Sequence, residues 1–171
     1  MMKWIIACAV LLTCASCWPT SVSFRDTGSM PPEWRSFSVK TLDNNAPSLP
    51  LSYAATLTEA IKDGVQNRTR LKLSPVKDSC QIVIEGAVVS ATPPTPIALQ
   101  ANDNAAKNRV TVNASFTIYI TAPKADKMVM TSSRFADYDA NQDAAAVEAQ
   151  LLEEITNQIV QDVINKLLSN W

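Results

Sequence analysis

In the segment Arg109–Ile120, RVTVNASFTIYI, the apolar residues Val110, Val112, Ala114, Phe116, Ile118 and Ile120 alternate strictly with Thr111, Asn113, Ser115, Thr117 and Tyr119. A period of two puts the first set on one face of a strand and the second on the other, whereas a helix would scatter both around its axis. One face therefore needs an apolar cover, and the other meets water or a polar partner. An antiparallel sheet with helices on one side meets both demands.

The flanking sequence supplies the remaining pieces. Ser36–Leu42, SFSVKTL, alternates around Phe37 and Val39 and reads as the first main strand, followed by a turn-rich connection from Asp43 to Pro50. From Ser52 to Arg70, Tyr53, Leu57, Ile61 and Val65 recur four apart beside Ala54, Ala55 and Ala60, the pattern of an amphipathic helix. Ser52 is placed to cap it, and Gly64 to weaken or bend its last turns. A short extended segment, Leu71–Pro75, precedes a strand over Cys80–Ala91 with Ile82, Ile84 and Val88 on one face. Gly86 within that strand marks a bulge or a close backbone approach. The proline-rich and then Asn/Ala-rich run Ala91–Asn108 reads as a long loop of functional or disordered type. Lys127–Tyr138 is a last strand, less cleanly alternating and expected to carry a bulge.

Asp143 caps a C-terminal helix from Ala144 to about Ser169, with Leu151, Ile155, Ile159, Val163 and Leu167 stepping four apart. About 25 residues at 1.5 Å each gives close to 40 Å, enough to cross a whole sheet. The order is strand, helix, strand, strand, strand, helix. The expected fold is α+β: a two-layer sandwich of about four mainly antiparallel strands with both helices on one face.

With 171 residues, 47% of them hydrophobic and 18% charged, the chain suits one domain with a substantial core. A net charge of −1 gives no support to nucleic-acid binding. The chain has no histidine, so Ser-His-Asp and Cys-His catalysis within it is excluded, as is the commonest metal ligand. Its three glycines, Gly28, Gly64 and Gly86, are too dispersed for a phosphate-cradling loop.

Met1–Ser16, MMKWIIACAVLLTCAS, places Lys3 before a short apolar run, the layout of a signal sequence. Cys14-Ala15-Ser16-Cys17 resembles a lipobox, which makes Cys17 the acylated residue at a new N-terminus. Cleavage before Cys14 is the second choice, with Thr13 a poorer neighbour, and a plain secretory signal with an incidental cysteine is the third reading. Diacylglycerol and a fatty acyl chain such as palmitate on Cys17 would tether the protein firmly, since each buried CH₂ contributes about 0.8 kcal/mol. Removing residues 1–16 takes away Lys3 and no acid, leaving 14 basic residues against 16 acidic. Residues 17–35, rich in Pro and turn formers, read as a lipidated tether with a short strand near Val22–Phe24, and 36–171 as the folded domain.

Asp137, Asp139 and Asp143 lack the spacing and terminal Glu of a calcium loop and read as a solvated turn. Glu153 and Glu154 fall on the polar side of the last helix. Cys80 has no histidine to activate it and reads as a structural cysteine at a strand end. Asn67-Arg68-Thr69 and Asn113-Ala114-Ser115 match the glycosylation sequon by chance in a chain with a bacterial lipobox. No catalytic or metal constellation emerges, and no cofactor is expected beyond the lipid on Cys17.

Several stretches, in order, carry a resemblance. They are Ser23–Gly28, SFSVKTL, LTEAIKDGVQNRTRLKL (Leu57–Leu73), TPPTPIALQ (Thr92–Gln100), AAKNRVTVNASF (Ala105–Phe116), SRFADYDANQ (Ser133–Gln142) and EEITNQIVQDVINKLLSNW (Glu153–Trp171). Together they resemble the LptE family of outer-membrane lipoproteins in the form found in Bacteroidetes. The resemblance implies two helices on a four-stranded sheet and a non-enzymatic role. It implies a protein that supports and plugs the LptD β-barrel, which inserts lipopolysaccharide into the outer leaflet. A periplasm-facing position on the inner leaflet of the outer membrane follows, because Trp18 and Pro19 after the lipid cysteine do not resemble the acidic surface-export signal. Charge alone nominates Arg68, Arg70, Lys72, Lys107 and Arg109 as lipopolysaccharide-binding candidates. A pilotin-like or generic structural lipoprotein chaperoning a different secretion barrel would share fold and tether. A periplasmic hydrolase would have to rely on an Asp or Lys site.

Overall fold

A computed structural model describes residues 30–76, 80–97 and 107–169. The signal sequence, Cys14, Cys17 and the tether as far as residue 29 lie outside the described residues. The elements are β1 (Ser36–Val39), β2 (Asp43–Asn44), α1 (Tyr53–Arg68), β3 (Lys72–Leu73), β4 (Ile82–Ile97), β5 (Lys107–Ile120), β6 (Asp126–Asp139) and α2 (Ala144–Leu168). One mixed sheet runs β3-β1-β4-β5-β6, with β2 paired to β4. The class is the expected α+β sandwich: four principal strands, two short ones, and two helices on one face.

β5 lies between β4 and β6, antiparallel to both. Its even-numbered side chains from Val112 to Ile120 are buried, as the alternation requires. Across the ladder they align with Ile82, Ile84, Gly86 and Val88 of β4 and with Met128, Met130 and Ser132 of β6. β1 joins parallel to β4, because α1 intervenes between them and carries the chain back across the sheet before β4 begins. β2 continues this parallel edge: Leu42, between β1 and β2, turns into the core, and Asp43 then pairs with Ala87. Packing starts ahead of Ser36, since Met30 and Trp34 both lie in the core and Trp34 Nε1 donates to the Ala122 carbonyl at 2.8 Å.

Two local expectations about the strands are corrected. The Pro-rich run continues β4 to Ile97 rather than looping away at Ala91. Pro93 and Pro94 fall in an irregularity between the pairs Thr92–Thr111 and Thr95–Arg109, on an edge that β2 no longer covers, where a missing N–H breaks no ladder bond. The bulge expected in the last strand is absent; β6 pairs with β5 without a register shift from Asp126 to Asp139. A register shift falls instead in β4 at Val89, between Val88–Ala114 and Ser90–Asn113. One extra residue there changes which parity of β4 faces the helices.

The helix ends also separate by chemistry. The Asp143 carboxylate caps α2 by accepting from Ala145 N at 3.1 Å. Ser52 makes no side-chain cap at α1; its carbonyl accepts from Thr56 N and Oγ1 instead. Gly64 is a packing position rather than a bend, because a Cβ there would lie 2.3 Å from Val160 Cγ1. Tyr53 near the start of α1 accepts from Thr156 Oγ1 at 3.2 Å, and Gly64 further along meets Val160 and Ile164, so the helices run in the same direction. This follows from the sheet. β1 and β6 point the same way, and each helix returns against the strand before it.

Asp162 ties α2 to β6. Its carboxylate accepts from Ser132 Oγ at 2.5 Å and Arg134 Nε at 2.7 Å, with Arg134 Nη2 on its other oxygen. Burial pushes the Asp162 carboxyl up, but Arg134 and Ser132 outweigh it and hold the group below its ordinary range.

Two stability experiments follow. At Gly86 an added Cβ would lie 2.4 Å from the Ser115 carbonyl oxygen, which is backbone and cannot rotate away. Gly86→Ala should therefore cost roughly 2–3 kcal/mol in urea unfolding. Gly64→Ala should cost less, because alanine's helix propensity returns about 1 kcal/mol of the strain. A Gly86→Ala loss no larger than that of Gly64→Ala would refute the ladder argument. For Asp162 the sign is fixed by its lowered folded-state value. Its contribution is present above the unfolded carboxylate pKa of about 4 and fades as pH falls through the folded value. Asp162→Asn should lose about 1 kcal/mol at neutral pH, a figure kept small by the exposure of Arg134, and should flatten the fall in stability below about pH 4. An unchanged acid slope in the variant would count against the pairing.

Candidate functional site

The sheet face away from the helices is covered by no described element. Thr111, Asn113, Ser115 and Thr117 of β5 lie on it, aligned across β6 with Phe135, Ser133, Thr131 and Val129. Ser90 and Thr92 extend the polar surface onto β4; Asn113 Nδ2 donates to Ser90 Oγ at 3.0 Å, and Thr92 Oγ1 to the Thr111 carbonyl at 3.3 Å. Three larger side chains interrupt it: Val129, Phe135 and Tyr119, exposed by 61%, 44% and 40%. The result is a broad hydroxyl- and amide-lined surface with a few apolar contact points, bordered by Lys40, Asp43 and Glu85 beside Ser115 and Thr117.

The five candidate cations do not form one cluster. Lys107 and Arg109 begin β5, opposite Asp139 and Asp137 of β6. Arg109 grips Asp137 with two bonds, Nε–Oδ1 at 2.7 Å and Nη2–Oδ2 at 2.8 Å, and its guanidinium carbon sits 3.7 Å from the centre of the Phe135 ring. The hydrogen bond from Arg109 holds the Asp137 carboxyl below its ordinary range, and the same bond raises Arg109. This end of the sheet is thus charge-balanced by cross-strand pairing.

Arg68, Arg70 and Lys72 lie at the other end, roughly 35–40 Å away along β5 by the usual strand rise. Arg68 closes the last turn of α1 and donates from Nη1 to Gln161 Oε1 at 2.7 Å. Arg70 Nη2 donates to the Met30 carbonyl at 2.7 Å and also to that of Pro31, fastening the incoming chain to the domain. Lys72 is exposed on β3, where its backbone N–H bonds the Arg35 carbonyl at 3.0 Å. Arg70, Lys72 and Arg35 line one groove with Pro32 and Trp34. Arg35 escaped the charge-based reading because it was assigned to the tether. Nothing local in the sequence shows that β3 pairs beside it.

Other sequence candidates have structural roles. Asp143 is the α2 cap, and among the described residues no three His, Cys, Asp or Glu side chains are grouped to hold a metal ion. Cys80 is buried just before β4 and its Sγ donates to the Val76 carbonyl at 3.2 Å. An apolar cavity of about 270 Å³ lies near the start of α2, between Leu49, Pro93, Pro94, Val110, Tyr138 and Leu151. No described helix is long and apolar enough to cross a membrane.

Comparison with known proteins agrees with this architecture. Lipoprotein B from Nitrosomonas europaea superposes with a TM-score of 0.54 at 12% identity, over 89% of this chain and 92% of that one. A neuraminyllactose-binding hemagglutinin homolog from Helicobacter pylori gives 0.52 at 9% identity, over 90% of each chain. PelC from Paraburkholderia phytofirmans, a dodecamer, gives 0.50 at 12% identity, over 85% of this chain and 95% of that one. Such identities establish a shared fold only. No curated protein matches the chain in sequence. The family model described as LptE, lipopolysaccharide-assembly, matches residues 34–167, from Trp34 in the core to Leu167 in the last turn of α2. The resemblance carried by the dispersed sequence matches is thereby established, and the chain belongs to the LptE family of lipopolysaccharide-assembly lipoproteins.

Proposed function

We propose that this protein supports and plugs an LptD-type β-barrel of the outer membrane, the translocon that inserts lipopolysaccharide into the outer leaflet. It does so without covalent chemistry. In this reading Cys17 carries the acyl anchor, and the domain faces the periplasm from the inner leaflet. The observation that carries the proposal is the uncovered polar sheet face of Thr111, Asn113, Ser115, Thr117, Thr131 and Ser133. Such a face suits the polar interior of a large barrel, where water and hydroxyl-bearing side chains meet. Val129, Phe135 and Tyr119 give it points of apolar purchase on the barrel wall.

Tagged full-length protein purified from its native outer membrane should bring with it a stoichiometric LptD-type barrel. Recovery of a different secretion barrel would favour the pilotin-like reading, and recovery of no barrel would overturn the plug. Lipopolysaccharide is the proposed cargo, met by cations at the tips of the domain. Because the two sets are far apart, they are tested separately, with Lys107→Gln and Arg109→Gln in one variant and Arg68→Gln, Arg70→Gln and Lys72→Gln in another. At least one variant should bind purified lipopolysaccharide more weakly. Unchanged binding in both at low salt would remove all five residues from consideration.

A further inference from the structure

The groove of about 340 Å³ lined by Pro32, Trp34, Arg35, Arg70 and Lys72 holds three cations and, among the described residues, no carboxylate in its walls. Two of these cations do not lie at helix ends. Arg68 and Lys166 occupy the last turns of α1 and α2, where a positive charge complements the helix dipole. Arg35 and Lys72 instead lie on neighbouring chain segments at the β1 edge and β3, joined by the Lys72 N–H to Arg35 carbonyl bond, outside any helix. Among the described residues neither side chain is paired with an acid. Arg70 lines the groove, and its buried Nε–H has no hydrogen-bond partner among the described residues. Three cations, one of them with an orphaned buried donor, form an arrangement suited to an oxyanion.

Position supplies the source of that anion. Met30, bonded through its carbonyl to Arg70, is the point at which the described domain meets the segment leading to Cys17. Twelve residues lie between the two positions, a span of at most about 45 Å when fully extended. If Cys17 is acylated, the groove lies at the end of the domain that the anchor holds toward its own leaflet. We infer that this groove binds the phosphate of an anionic phospholipid headgroup in the leaflet that carries the Cys17 anchor, and so seats the domain on the membrane. Arg70 and Lys72 are thereby assigned to the membrane surface, which leaves Arg68, Lys107 and Arg109 as the candidates for lipopolysaccharide.

The inference rests on the acyl-anchor reading, so the test removes the anchor and reads the groove alone. The mature chain carrying Cys17→Ser is mixed with vesicles of phosphatidylcholine, of phosphatidylcholine with phosphatidylglycerol, and of phosphatidylcholine with lipid A, and sedimented. Mass spectrometry of the native protein reports separately on acylation. The chain should partition onto phosphatidylglycerol vesicles, with soluble glycerol phosphate competing. Arg35→Gln with Lys72→Gln should weaken partitioning about 25-fold, at about fivefold per basic side chain near an anionic surface. Lys124→Gln with Lys127→Gln removes the same charge from the β5–β6 turn and the start of β6, outside the groove lining, and should weaken it far less. The charge-keeping pair Arg35→Lys and Lys72→Arg should stay within about fivefold of the unsubstituted chain, which separates lost charge from lost folding. Equal losses in the two Gln pairs would mean diffuse attraction and would overturn the groove. Binding to lipid A vesicles but not to phosphatidylglycerol, or binding that ignores phosphatidylglycerol altogether, would overturn the headgroup assignment.

Discussion

Val112, Ala114, Phe116 and Ile118 project from β5 into the space beneath the helices, where each is almost completely shielded from water. Fully burying a side chain such as Phe116 or Ile118 contributes about 1.5–3 kcal/mol. β5 is hydrogen-bonded along both edges, so its register is shared with β4 and β6. A slip of one residue would drive Thr111, Asn113, Ser115 and Thr117 under the helices in their place. Each buried hydroxyl or amide left without a partner costs about 1–3 kcal/mol, so register and face are selected together. The same selection that fills the core leaves the opposite face polar.

The sheet's connectivity then sets the direction of the helices. β1, β4 and β6 point the same way, and α1 and α2 both return against them. The helices meet side by side where Gly64 admits Val160 and Ile164 close to the α1 backbone. Both helix C-termini therefore fall at the end where β4 begins and where the incoming chain docks through Trp34 and Arg70. Both N-termini fall at the other end, beside the apolar cavity and the proline-bearing part of β4. The domain thus has two chemically different ends: at one, among the described residues, Arg35 and Lys72 meet no carboxylate, and at the other Arg109 is paired across strands with Asp137.

Charge pairing separates groups that look alike in the linear chain. Arg109 is neutralised by Asp137 and flattened against Phe135, while Arg134 is directed to Asp162 on α2. Among the described residues Arg35 and Lys72 have no such carboxylate. An exposed cation is more available to an external anion when no fixed acid competes for it, which is why position in the sheet matters here beside local density of Lys and Arg. The open face between the two ends carries hydroxyls and amides along β5 and β6, which offer hydrogen bonds without a large desolvation penalty, and Lys40, Asp43 and Glu85 border it beside Ser115 and Thr117.

The α+β class, the two helices, the order of the principal elements and the buried face of β5 could all be read from the chain, because each depends on a periodicity within a single segment. Asp143 as a cap was legible for the same reason: the cap and the amide it accepts from are two residues apart. Gly86 was readable as a close approach, though its partner, the Ser115 carbonyl, was not. What depends on partners distant in sequence could not be read locally. Pro93 and Pro94 look like loop residues until the neighbouring edge is known to be uncovered. Gly64 looks like a weak point in a helix until Val160 is set against it from nearly a hundred residues away. The five cations chosen by charge separate into two ends because strand direction, a property of the whole sheet, decides which loops share a tip. Arg35 joins Arg70 and Lys72 only through the parallel pairing of β1 with β3. Local patterns record how each segment meets water, whereas pairing, direction and charge compensation arise when segments far apart in the chain exclude water from one another.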